Sequence, residues 1–384
     1  MSYGLLFLFA RFVLIISLPL EGLKSYGDFW NFYDIASLGT PFVNLWVEFP
    51  PLFPFISRLF YLFSGGREHA YIYLLVIFFS IVQAGSIYLF HDISKRVFKG
   101  KGSSQRILMY SAILVGLFYG WAYFDCLGVF LLLWGIREIL KGRVVNAGLI
   151  IGLGGLVKWF PILIIPAVWR WLGPKKGFKV LLVALVIICL TWGGLYILAP
   201  ENTMASLVSQ FNKGSWETVW ALLDGNLTTG NFGPQIDRRN PETAMIIQGN
   251  TPLIPSWLSL LVFGFIGFSV LLRSNITDEQ KFISFACFTF VLFYLWSPGY
   301  SPQWVLFLLP LVLLSFDEVR SILLSIILLI INLLEWPLLL SRGWFHLLDE
   351  IVIGRTIIFF MLALLLLGNV IHNNAEKSEV NNAI

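Results

Sequence analysis

Val180-Leu181-Leu182-Val183-Ala184-Leu185-Val186-Ile187-Ile188-Cys189-Leu190-Thr191-Trp192-Gly193-Gly194-Leu195-Tyr196-Ile197-Leu198 runs for nineteen residues without a charge. A helix rises 1.5 Å per residue, so about 20 apolar residues cross a hydrocarbon core of ~30 Å. The run reads as a membrane span, and 254–272, 322–340 and 351–371 repeat its length and character. Strands of a membrane barrel would be shorter and would alternate in polarity, so helices are expected. The whole chain agrees: of 384 residues, 58% are hydrophobic and 12% charged, with a mean hydropathy of +0.80. That balance excludes an ordinary soluble domain.

Outward from this run, apolar segments are expected at 3–20, 71–91, 107–124, 126–140, 144–157, 159–172, 180–199, 254–272, 282–296, 304–316, 322–340 and 350–371. The expected fold is an all-α polytopic membrane protein of about 10–12 transmembrane helices, some short or broken, forming one domain over 1–371. The pieces 144–157 and 159–172 are too short to cross upright, and with Lys158 and Pro161 between them they read as a hairpin lining a cavity. Residues 1–20 lack a basic start and a small-residue cleavage site, so they read as the first membrane helix. Cys126, Cys189 and Cys287 have no metal-ligand spacing and read as small buried side chains.

The placement of Lys and Arg orients the chain. With a cytoplasmic N-terminus, sixteen basic residues fall in inner loops and eight in outer ones. Both termini are then cytoplasmic in a multi-pass cell-membrane protein, with 372–384 as a polar cytoplasmic tail. Two loops face outward, 21–70 and 200–255. The first opens with Gly27-Asp28-Phe29-Trp30-Asn31-Phe32-Tyr33-Asp34 and a juxtamembrane helix, continues to Glu48-Phe49-Pro50-Pro51, and ends in an apolar stretch from Leu52 that suits the membrane interface. The second carries Gly214-Ser215-Trp216-Glu217-Thr218-Val219-Trp220 and the sequon Asn226-Leu227-Thr228. A long loop this rich in Trp reads as functional. No nucleic-acid partner is implied; membrane lipids are.

The order Asp28, Tyr33, Phe49-Pro50-Pro51-Leu52, then Phe124-Asp125, Gly155-Leu156-Val157-Lys158-Trp159-Phe160-Pro161, and Ser297-Pro298-Gly299-Tyr300-Ser301-Pro302-Gln303-Trp304 resembles the motif order of GT-C glycosyltransferases. Within them it is most similar to mannosyltransferases that use polyprenyl-phosphate-mannose. The family usually has Tyr where this chain has Phe49, so the aromatic is kept and its hydroxyl lost. The resemblance implies a polyprenyl-phosphate sugar donor, a lipid or glycan acceptor, and Asp28 as catalytic base on the outer face.

Each candidate has a simpler reading beside it. Asp28 could instead cap the helix that starts at Phe29. Asp34, the reserve base, lies about 240° round that helix at ~100° per residue and reads as solvated. A lone Lys158 at the tip of a short apolar hairpin is costly unless it meets an anion, such as a donor phosphate, or snorkels outward. Arg238 and Arg239 could clamp the same phosphate or stay solvated; Arg342 completes the phosphate candidates. Tyr33, Glu48, Asp125, Gln303 and His346 are the substrate-binding candidates. Against these stand a turn cap for Glu48, a helix cap for Asp125 and a helix-to-helix tie for Gln303. Arg11 and Glu335 are expected to find partners within the membrane. No cofactor is expected, and the carboxylate spacings suggest no obligatory metal. The rival classes are a secondary transporter and a non-catalytic lipid-binding protein.

Overall fold

The computed structural model describes residues 2–100, 102–227 and 232–371. Residues 372–384, read above as a cytoplasmic tail, and Thr228 of the sequon lie outside them. The described residues are mostly helical, with two isolated β-bridges and no named strand. The chain is an all-α polytopic membrane protein. Five helical stretches are individually long and apolar enough to cross a membrane: Glu68–Val97, Pro174–Leu198, Ser256–Arg273, Glu318–Arg342 and Phe345–Ile371. Five shorter apolar helices accompany them, including Ser2–Ser17, Val144–Val157 and Phe160–Leu172.

Contacts sort the turns between helices into two ends. At one end Arg96 pairs with Glu279, Arg137 with Asp92, and Arg143 with Glu138. The Nε of Arg106 donates to the carbonyl of Leu313 at 3.1 Å and its Nη2 to that of Phe316 at 3.2 Å. This end carries the clustered basic residues. At the other end the Trp121 indole donates to Leu23 O, Lys158 meets Asp125, and the Trp336 indole donates to Tyr26 O. All the motifs singled out in the sequence gather at this second end.

Proline explains two of the breaks. The Val144–Val157 helix stops at Lys158, whose backbone is extended, and the chain restarts as a tight 3-10 turn over Phe160–Ile164 with Pro161 near its start, where a missing N–H costs nothing. The stretch read from sequence as one helix over 322–340 is interrupted instead. The Glu318–Leu333 helix gives way at Trp336, which is non-helical as residues before proline prefer, here Pro337. The break leaves the Asn332 carbonyl free to accept from Tyr119 Oη at 3.0 Å. Cys126 and Cys287 are buried as expected, but Cys189 is exposed, because the Pro174–Leu198 helix packs only part of its circumference against the bundle.

The membrane-embedded charges find partners. Arg11 is fully buried, donates to Gln83 Oε1 at 2.9 Å and to the Leu114 carbonyl, and lies over the Trp121 ring at 4.7 Å. Glu335 pairs with Arg355 of the final helix, both buried.

Candidate active site

Phe29–Leu38 forms the expected juxtamembrane helix, and Asp28 occupies the residue before it, yet its side chain makes no capping hydrogen bond. Its carboxylate has no ion-pair or hydrogen-bond partner among the described residues. The preceding backbone is pinned instead: Asp28 N–H donates to Ala122 O at 3.4 Å and Tyr123 Oη to Tyr26 O at 2.8 Å. Only glycine fits at 27, because a Cβ there would stand 2.6 Å from the Cβ of Ala122. Asp28 is thus fixed in position with its functional group unspent. Burial, reinforced by the charges of Asp125 and Glu48, pushes its carboxyl up to about 7; Lys213 and Lys158 oppose the shift.

Asp125 opens the Asp125–Leu140 helix, and its Oδ1 lies 2.5 Å from Lys158 Nζ. Lys158 therefore neither snorkels nor stands free. Its ammonium also sits over Phe160 and Trp304, 5.1 Å from each centroid, and over Phe124 at 5.5 Å. Below it Phe124 stacks on Phe53 at 4.3 Å, and Phe49 meets Phe124 edge-on at 5.1 Å. The Phe49-Pro50-Pro51 turn thus contributes its ring to the floor under the Asp125–Lys158 pair.

The two large loops interlock above this floor. Glu48 takes both guanidinium ends of Arg238, with one contact at 2.9 Å, and Arg238 lies over Trp46 at 4.8 Å. Trp46 N–H donates to Arg238 O, and its indole to Thr243 Oγ1 at 3.0 Å. Glu48 and Arg238, read from sequence as separate acceptor and phosphate ligands, therefore satisfy each other in a buried fork-to-fork pair.

Lys213, not singled out in the sequence, follows the Pro200–Asn212 helix and stacks over Trp216 at 4.2 Å. Its ammonium has no anionic partner within contact distance among the described residues. Burial pushes it down, while Glu48, Asp28 and Glu217 hold it up and Lys158 opposes them. It is the cation that shares a field with all of these groups. Trp216 is itself anchored by a bridge to Gly299 and by its indole donating to Ser301 Oγ at 3.2 Å. Glycine is required there, since a Cβ at 299 would stand 2.2 Å from the Trp216 ring. The next residue, Glu217, completes the group. Gln303 is half-buried beside Trp304, and its side-chain amide bonds to no helix among the described residues, so the helix-tie role is not used there.

Other candidates lie elsewhere. Tyr33 Oη donates to Gly66 O at 2.5 Å within a tyrosine cluster with Tyr61 and Tyr71. Asp34 is raised by burial and then by Glu68, not by the Asp28 group. Arg239 is exposed and donates to Leu38 O at 3.0 Å; Arg342, also exposed, donates to Leu338 O at 3.1 Å, and His346 is exposed. Tyr33 and Arg239 are thus taken up by backbone carbonyls of other segments and Arg342 by its own turn, while His346 is exposed. Among the described residues no group of three or more His, Cys, Asp or Glu could hold a metal ion.

Lys213 and Glu217 escaped the sequence reading because neither has motif spacing. Their only signal was a cation and a carboxylate flanking Trp216 in the Trp-rich loop. No protein-family model matches the chain, and no curated protein matches it in sequence.

Proposed function

We propose that the chain is an inverting membrane glycosyltransferase. It moves a hexose, mannose or a close relative, from a polyprenyl phosphate onto a lipid-linked or glycan acceptor at the non-cytoplasmic face of the cell membrane. The observation that carries this reading is the Asp28 carboxylate, locked in place with no hydrogen-bond or ion-pair partner among the described residues and sharing an electrostatic field with the ammonium of Lys213. The concentration of Lys and Arg at the opposite end of the bundle supports the orientation.

In the reaction, the acceptor hydroxyl oxygen attacks the anomeric carbon, the bond from that carbon to the phosphate oxygen breaks, and the hydroxyl proton passes to Asp28. A phosphate is already a good leaving group, so no acid is needed to protonate it, unlike an alkoxide in glycoside hydrolysis. What it needs is a cation for the growing charge, which Lys213 supplies with Lys158 behind it. A base whose pKa lies near neutrality suits this work. A single in-line displacement inverts the anomeric centre.

The Glu335–Arg355 pair, buried between the last two spans, is the feature a secondary transporter would use. Reconstituted protein supplied with radiolabelled polyprenyl-phosphate hexoses separates the two. Transfer by the native chain and its loss in Asp28→Asn are expected. Full transfer by Asp28→Asn would remove Asp28 as the base, and ion-driven uptake without lipid-linked sugar would favour the transporter.

A further inference from the structure

Glu217 is held in an unfavourable backbone conformation. Its φ is +50°, a left-handed backbone that costs a non-glycine residue about 1 kcal/mol or more. Both neighbours are clamped. Trp216 bridges to Gly299 and bonds Ser301, while Thr218 Oγ1 donates to Pro298 O at 2.8 Å and accepts from Ala221 N–H at 3.2 Å. The Glu217 backbone is fully used: its N–H donates to Leu227 O at 3.3 Å and its carbonyl accepts from Arg355. The side chain is not used in the same way. Its Oε2 is buried with no hydrogen-bond partner among the described residues, although Arg355 and Lys213 both act on it electrostatically.

A buried acceptor without a donor costs about 1–3 kcal/mol, and more when charged. Strain and a missing donor at one residue mark a group kept for a ligand. The ligand must bring N–H or O–H groups. It must also lie against an aromatic ring, because the half-buried Trp216 is adjacent. Vicinal hydroxyls on a ring with apolar C–H faces meet both demands.

We propose that Glu217 accepts hydrogen bonds from hydroxyls of the transferred hexose and so selects which sugar is moved. The inference rests on the glycosyltransferase reading and assigns the sugar subsite to Glu217, four residues after Lys213. Lys213, which feels both carboxylates, suits the phosphate that joins sugar to lipid. Glu217 then positions the substrate and takes no proton in the reaction.

The backbone offers an unusual control. Glycine is at ease at φ +50°, so Glu217→Gly deletes the carboxylate while relieving the strain and should unfold at the same temperature as the native chain or higher. The experiment measures kcat/KM of the full-length protein, reconstituted in lipid, for a polyprenyl-phosphate hexose and each of its monodeoxy analogues. A site that hydrogen-bonds a hydroxyl rejects the analogue lacking it by up to about 10⁴-fold. The native chain is expected to reject at least one analogue by that order, and Glu217→Gly to lower the parent rate while narrowing this ratio to about tenfold or less. Glu217→Gln, which keeps the shape and one acceptor, should fall between. An unchanged ratio in an active, folded Glu217→Gly would overturn this inference alone. No transfer by the native chain from any donor in the panel would overturn the glycosyltransferase reading and this inference with it.

Discussion

Asp125 Oδ1, at the start of the Asp125–Leu140 helix, and Lys158 Nζ, just past the end of the Val144–Val157 helix, lie 2.5 Å apart, with only 1% and 15% of their side chains exposed. Removing one partner of such a pair leaves a buried charge alone and costs about 3–5 kcal/mol. Lys158→Met and Asp125→Leu should each lower the unfolding temperature clearly, while the double variant recovers much of the loss. Thermal unfolding in detergent or nanodiscs measures this, and additive losses in the double variant would show that the two charges act independently.

Activity should rise with pH through about 7 and then level off. The Asp28 carboxyl is raised to about 7, so it is protonated below that pH and becomes a base above it. Asp125, Glu48, Lys213 and Lys158 face it. Glu217, also raised to about 7, must ionise to accept two hydroxyl donors and sharpens the same limb. The stability sign runs the other way: a raised carboxyl contributes most below the unfolded value of 3.8, and that contribution is lost as pH climbs through 7. Asp28→Asn should therefore unfold about 2–4 °C higher than the native chain at pH 8, with the gap closing toward pH 4. Unfolding temperatures across that range are the check.

Lys213→Gln should lower kcat/KM for the donor about 10²-fold or more, by removing the cation that meets the leaving phosphate. Lys213→Arg should restore part of it. Because Lys213 also holds the Asp28 carboxyl down, the pH–rate limb of Lys213→Gln should move upward. An unmoved limb would place the lysine too far from Asp28 to act on it.

The Glu48–Arg238 fork ties the first large loop to the second. Arg238→Met should increase hydrogen exchange across 200–212 and 232–250 by tenfold or more and leave the spans untouched. Unaltered exchange there would assign the interlock to Trp46 instead.

Much of the fold was legible because membrane helices announce themselves by length and polarity. Most of the twelve apolar segments, the short hairpin around Lys158 and the Phe29–Leu38 helix are present, but 107–124 breaks after Gly116 into a second short helix, Tyr119–Ala122, and 322–340 breaks at Trp336. The interruption at Trp336 was missed because a proline near a helix end reads equally well as a terminator. The candidate site was legible only where an isolated charge stood in an apolar setting, as Asp125 and Lys158 do. Glu48 and Arg238 lie 190 residues apart, and nothing local in either marks the other as its partner. Tyr33 keeps the spacing of a motif, yet its hydroxyl is taken by the carbonyl of Gly66, 33 residues on, a tie that the sequence does not announce. Lys213 and Glu217 have no ion-pair partner within contact distance among the described residues, and the absence of a partner leaves no mark in a sequence.

The hydrogen bond from the Trp336 indole to the Tyr26 carbonyl, at 2.9 Å, joins residues 310 positions apart, immediately beside Asp28. The backbone beside Asp28 is therefore held in part by a residue 310 positions further on, so this clasp can form only after Trp336 has been made.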